Sequence, residues 1–152
     1  MPKVHRLDKL EMPDILALEP KLRKKVMRAA AKVARDEARM IVPVRSGRLK
    51  KSLTYNVDRG GLSGKVKAPK AKAPHAHLVH DGTKAHDIYA KTAESARAGW
   101  RYYRNSTETP VRHPGARAQP FLVEAGEQAR PEIERAMLQK ANEVLAEVAE
   151  GG

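Results

Sequence analysis

Four histidines fall within twelve residues, His75, His77, His80 and His86, with Asp81 among them. Three imidazoles can hold zinc, and on a strand alternate residues share a face, which would set His75 beside His77. His77, His80 and Asp81 could also serve a hydrolase. The surrounding spacing favours neither chemistry. There is no His-Glu-x-x-His pair, no Gly-rich phosphate loop and no Gly-x-Ser-x-Gly elbow, and the carboxylates show no motif spacing. The chain has no cysteine, which removes thiolate catalysis and every cysteine-based zinc or iron–sulfur site. We expect no catalytic residue, no metal site and no cofactor, and therefore no enzyme.

A second constellation is cationic. Pro43-Val44-Arg45-Ser46-Gly47-Arg48-Leu49-Lys50-Lys51 places Arg45, Arg48, Lys50 and Lys51 in one short stretch. Pro43 ends whatever helix precedes it, and Gly47 supplies a backbone conformation that other residues avoid. Such a turn can contact phosphates without regard to sequence, or pair with carboxylates of the acidic C-terminal helix, in the same or a neighbouring subunit.

The elements that position these residues follow from periodicity. Pro20 suits a first helical turn, and the helix it opens runs to about Ile41. Leu22, Val26, Ala29, Val33 and Ala30, Ala34, Ala38, Ile41 recur at spacings of three and four, giving one apolar stripe. The opposite face carries Arg23, Lys24, Arg28, Lys32, Arg35 and Arg39 with few carboxylates, so most of it is expected to stay available for a partner. Leu53 to Val57 alternates as a strand, Arg59-Gly60-Gly61 reads as a turn, and Ser63 to Ala68 is its partner strand. A further strand is predicted from His75 to Val79, closed at Asp81-Gly82-Thr83, where Gly82 serves the turn. The stretch from 89 to 118 has no clean period and reads as a long loop or insertion. The last helical segment opens at Pro120, with Phe121 as a core anchor, and Pro131 predicts a kink or restart.

Composition sets the outer limits. A chain of 152 residues suits one domain, taken here as 1–152. Aromatic residues make up only 4% and much of the apolar 41% is Ala and Val, so the core must be thin, and neighbouring subunits often complete such a core. No run approaches the length of a membrane span, and Met1 to Leu10 lacks the apolar run of a secretory signal, so cytoplasmic synthesis and no membrane partner are expected. The net charge is +12. Residues 21–51 hold 12 basic and 2 acidic groups and residues 52–118 hold 12 and 5, whereas residues 119–152 hold 3 and 7. A chain with this dipole can meet a polyanion with one surface and a copy of itself with another.

Three separated motifs stand in order: Val42-Pro43-Val44-Arg45-Ser46-Gly47-Arg48-Leu49, His77-Leu78-Val79-His80-Asp81-Gly82-Thr83, and Ala118-Gln119-Pro120-Phe121-Leu122. Together they resemble the gene-ten-like tail-component family of lambdoid phages, over roughly residues 10 to 148. In that family a long helix runs into a Pro-Val-Arg-Thr-Gly-Arg-Leu-like turn, a strand ends in a Glu-Phe-Gly-Thr-like turn, and a Pro-Phe-Leu-like motif opens the final helix. Here His80-Asp81 replaces the acidic–aromatic pair, and the connection after residue 90 is longer. The resemblance implies a structural virion protein of a long-tailed phage, assembled in the host cytoplasm. Its expected place is a closed ring, sixfold or twelvefold, in the neck, the head–tail connector or the tail-completion (tail terminator) complex. Its expected partners are further copies of the chain, other neck, head-closure and tail proteins, and, through non-specific contact, the packaged double-stranded DNA passing through the ring.

The expected fold is α+β, a long N-terminal helix and a C-terminal helix packed on a small, mostly antiparallel sheet. The alternative function is a basic nucleic-acid-binding protein, with the helix from Pro20 along a phosphate backbone and Tyr102-Tyr103 stacking on bases. A free binder should associate with duplex with steep salt dependence, whereas a connector subunit should bind duplex only weakly.

Overall fold

A computed structural model of the chain describes residues 12–88 and 111–150. The described residues form two compact units, one from 12–74 together with 121–150 and one from 75–88 together with 111–120. The fold is α+β, as the periodicities predict.

The first unit is built around one helix. After a short α1 (Met12–Ala17), α2 runs over Pro20–Ile41, with proline in its first turn. Proline is tolerated there because its missing N–H has no helical partner in any case. The helix stops at Val42, whose N–H still donates to Ala38 O at 3.0 Å but whose ψ of 131° is extended. Pro43 forces that conformation on the residue before it.

One turn on, α3 (Arg48–Ser52) leads into the antiparallel hairpin of β1 (Thr54–Val57) and β2 (Gly64–Lys67). The register sets Thr54 opposite Lys67, Tyr55 opposite Val66, Asn56 opposite Lys65 and Val57 opposite Gly64. Asp58 holds the connecting turn. Its carboxylate accepts from the N–H groups of Ser63 at 2.8 Å and Gly60 at 3.2 Å. The Ser63 N–H, first among several backbone donors, holds the Asp58 carboxyl below its ordinary pKa of 3.8.

The turn docks onto α2 through Gly61. Its φ is +69°, and a Cβ there would lie 2.5 Å from the Lys24 backbone nitrogen and 2.8 Å from the Arg23 carbonyl carbon. Only glycine allows this backbone-on-backbone approach.

The C-terminal helices α5 (Phe121–Gln128) and α6 (Arg130–Glu150) complete this unit. The restart predicted at Pro131 is present, with the break at buried Ala129. The layer order is more specific than expected: α2 packs against α5 and α6 as well as against both hairpin strands. Ile15, Val26, Ala30, Met137 and Ala141 form one cluster, flanked by Leu18, Met27 and Ile133. Phe121 is 1% exposed and, with Leu53, Val26 and Val144, is among the largest fully buried side chains. Among the described residues, seven of the fifteen buried apolar side chains are alanines, so the core there is thin, as the composition implied.

In the second unit, α4 (Ala76–Asp81) stands where the alternation of His75, His77 and Val79 predicted a strand. Ala76 and Leu78 are strong helix formers, and the Val79 N–H donates to His75 O to close the first turn. The strands here are β3 (His86–Ile88) and β4 (Val111–His113), paired antiparallel. Of the expected loop or insertion at 89–118, residues 111–118 contribute β4 and a bridge from Ala116 to Thr83, and 89–110, with Tyr102 and Tyr103, lie outside the described residues.

Candidate functional site

The histidine cluster does not assemble into a metal centre. With His75 the N-cap of α4 and His77 within its first turn, the two do not share a face as they would on a strand. His80 Nδ1 lies 2.7 Å from Asp81 Oδ1. His86 stacks instead on His113 across the β3–β4 pair, with ring centroids 5.0 Å apart. Among the described residues, no three His, Asp or Glu side chains come together as metal ligands would.

The cationic turn is more ordered than a turn. Gly47, at φ +73°, is the N-cap of α3, and Arg48, Lys50 and Lys51 are helical residues. Leu49 and Ser52, three apart and so on one side of the helix, are buried, and Ser52 Oγ donates to Leu49 O at 2.7 Å. Val42 and Leu53 are buried at the two ends of the segment. The apolar side of the segment therefore fixes its polar side. Arg45, Arg48, Lys50 and Lys51 are all exposed. None of the four side chains has a hydrogen bond or ion pair among the described residues. The acidic α6 takes its cation from α2 instead, with Lys25 Nζ 2.8 Å from Glu147 Oε2. Lys140 Nζ pairs with Glu143 at 2.7 Å within the helix. These contacts hold the Glu147 and Glu143 carboxyls below their ordinary values. Beside the cations, Met40 is 76% and Val44 is 62% exposed, and Pro43 is exposed as well.

The basic face expected on α2 is partly engaged within the chain. Arg23 donates to Gly60 O and to Leu16 O, both at 2.7 Å. Arg39 donates to Leu53 O at 2.9 Å. Arg35 pairs with Asp36 and lies over the Tyr55 ring at 5.1 Å. Apart from Asp36, those partners lie outside α2, and helical spacing alone does not reveal them.

Gly82 is placed by the second unit. It caps α4 at φ +73°, and a Cβ would lie 2.6 Å from both Ala116 O and Ala118 N. Thr83 and Ala116 exchange N–H···O bonds of 2.9 and 3.0 Å, and Gln119 N–H donates to Val79 O at 3.0 Å. The second and third sequence motifs thus meet in space. Pro120 ends this unit and Phe121 opens α5.

The family model described as "Bacteriophage HK97-gp10, putative tail-component" matches residues 6–82. That span covers α1 to α4, the first motif entire and the second through Gly82. No curated protein and no solved structure matches the chain. With half of its length matched and the motif-bearing turns in the geometry described, the chain belongs to the HK97-gp10 family of bacteriophage tail components.

Proposed function

We propose that the chain is a structural subunit of a closed ring, sixfold or twelvefold, in the neck, head–tail connector or tail-completion (tail terminator) complex, through which the phage genome passes. Its role is mechanical and connective rather than catalytic. It sits in the virion after assembly in the host cytoplasm, against other copies of itself and against neck, head-closure and tail proteins. No helix among the described residues is long and apolar enough to cross a membrane.

The observation that carries this proposal is the segment from Met40 to Lys51. Anchored by buried Val42, Leu49, Ser52 and Leu53, it presents exposed apolar side chains, Met40 and Val44, beside four cations that have no partner among the described residues. A tail-component subunit with such exposed apolar side chains has a place for a neighbour to cover, and the cations beside them face whatever polyanion passes.

Negative-stain electron microscopy of lysates from a phage whose copy of this gene carries an early stop codon tests the proposal. DNA-filled heads lying apart from tails are expected. Complementation with the wild-type gene should restore joined particles, and the Arg45→Glu, Arg48→Glu variant should fold but fail to restore them. Intact, joined particles without the gene would leave the free nucleic-acid-binding protein as the better account.

A further inference from the structure

The hairpin has two unlike faces. Gly64 and Val57, opposite each other in the register, lie on the α2 side, where a Cβ on Gly64 would touch Ala31 and Met27. Tyr55, opposite Val66, lies on the same side under the Arg35 guanidinium. Alternation then sets Thr54, Asn56, Lys65 and Lys67 on the outward face. Lys67 pairs with Thr54, and only Leu53 separates Thr54 from α3, so the outward face runs directly into the segment holding Arg48, Lys50 and Lys51. Lys70 and Lys72 follow β2, and Arg59 sits in the turn.

Residues 45–72 thus hold nine cations and one carboxylate. All nine cations are exposed, and none makes an ion pair, side-chain hydrogen bond or ring contact among the described residues. The one carboxylate, Asp58, is occupied by the N–H groups of its own turn.

We propose that the surface of residues 45–72, from Arg45 through the outward hairpin lysines to Lys72, is a binding strip for the phosphate backbone of duplex DNA. This deepens the connector proposal and rests on it for where the contact is made. The alternative occupant, the acidic α5–α6 segment of another copy, is too weakly charged. It carries seven carboxylates against three cations, and Glu132, Glu143 and Glu147 are already paired with Arg135, Lys140 and Lys25. The strip, at nine against one, needs a denser anion. Duplex DNA presents a charge about every 1.7 Å, or about six along the ~10 Å of one four-residue strand. The outward hairpin face offers lysines, a threonine and an asparagine and no aromatic ring. That suits phosphate contact without base reading, and lacks the stacking platforms a single strand needs.

The test is titration of the full chain into a mixed-sequence duplex, followed by fluorescence anisotropy between ~50 and ~200 mM salt. A lone subunit should bind with a dissociation constant of roughly 10⁻⁴ to 10⁻⁶ M at physiological salt, the range of non-specific binders. Replacing Lys65, Lys67, Lys70 and Lys72 by Gln should flatten the slope of log K against log salt by about 3 to 4, at about 0.9 per lost phosphate contact. The same replacement at Lys21, Lys24, Arg28 and Lys32 on α2 should leave the slope unchanged. Unchanged melting of both variants shows that they are folded. The proposal is overturned by no wild-type binding, by equal slopes for wild type and the hairpin variant, or by flattening in the α2 variant instead. It is also overturned if the hairpin variant loses only self-association in sedimentation, which would make the strip a protein-docking face. Joined particles from the stop-codon lysate would sink the connector role without touching any of these results.

Discussion

Helix α2 and the segment 45–72 are about equally rich in positive charge, with eight and nine cations, yet the fold treats them differently. On α2, Arg23, Lys25, Arg35 and Arg39 are drawn into contacts with α1, the hairpin, Asp36 and α6. In segment 45–72 no cation is engaged among the described residues. Three of the four engaged residues on α2 are arginines, whose planar fork can reach a carbonyl while the stem packs. Position does the rest: α2 lies between several elements whose chain ends offer acceptors, while the cations of the hairpin and α3 point away from it. Charge density along a chain thus says little about availability. What decides is which face the tertiary structure covers.

The comparison rests on α2 being held by a real core, and its largest test is Phe121→Ala. Emptying this buried site should cost about 3–5 kcal/mol in equilibrium denaturation, with a matching fall in melting temperature. Unchanged melting would mean that the helices around α2 are not held where described. A smaller effect separates the two regions directly. Arg39→Met leaves Leu53 O without its partner and should cost about 1–3 kcal/mol. Lys67→Met, the same loss of charge on the outward strand, should stay within about 0.5 kcal/mol. Equal costs in chemical denaturation would erase the distinction.

The smallest effect is in pH. Because the folded state lowers the Asp58 pKa below 3.8, the stabilisation it gives the turn is complete above that value and lost as pH falls through the folded pKa. Hydrogen exchange should show the Ser63 amide protected through mildly acidic pH and exposed only below about 3.8, with the Asp58→Asn chain lacking that dependence. Loss of protection near neutral pH would contradict the assigned turn.

Where local chemistry decides structure, the sequence was enough. Pro20 and Pro43 bracket α2, the alternation around Arg59-Gly60-Gly61 marks the hairpin, Pro131 marks the helix restart, and Phe121 stands out as the single large core residue of its type. The misses have tertiary causes. His75-x-His77-x-Val79 mimics strand alternation, and what ends the short helix there, the approach of Gly82 to Ala116 and Ala118, lies outside any local pattern. The five residues of α3 are too few to be periodic, and burial of Leu49 and Ser52 sustains them. Arg45, Arg48, Lys50 and Lys51 were legible as a cluster. Their continuation through Lys65 and Lys67 needed the strand register, because residues on opposite faces of a strand are neighbours in sequence. Gly60 as a partner of Arg23 and Leu53 as a partner of Arg39 were equally hidden, lying 37 and 14 residues away along the chain.

The approach of Gly61 to α2 is made between main chains, so the pitch of the hairpin is set by atoms that every amino acid shares. The side chains of its outward face take no part in that anchorage. A lineage could therefore exchange those side chains freely, shifting the surface from cationic to neutral or acidic, so long as position 61 stays glycine. The hairpin behaves as a mount with interchangeable fittings, and a designer who wished to re-aim this subunit at another partner could begin there.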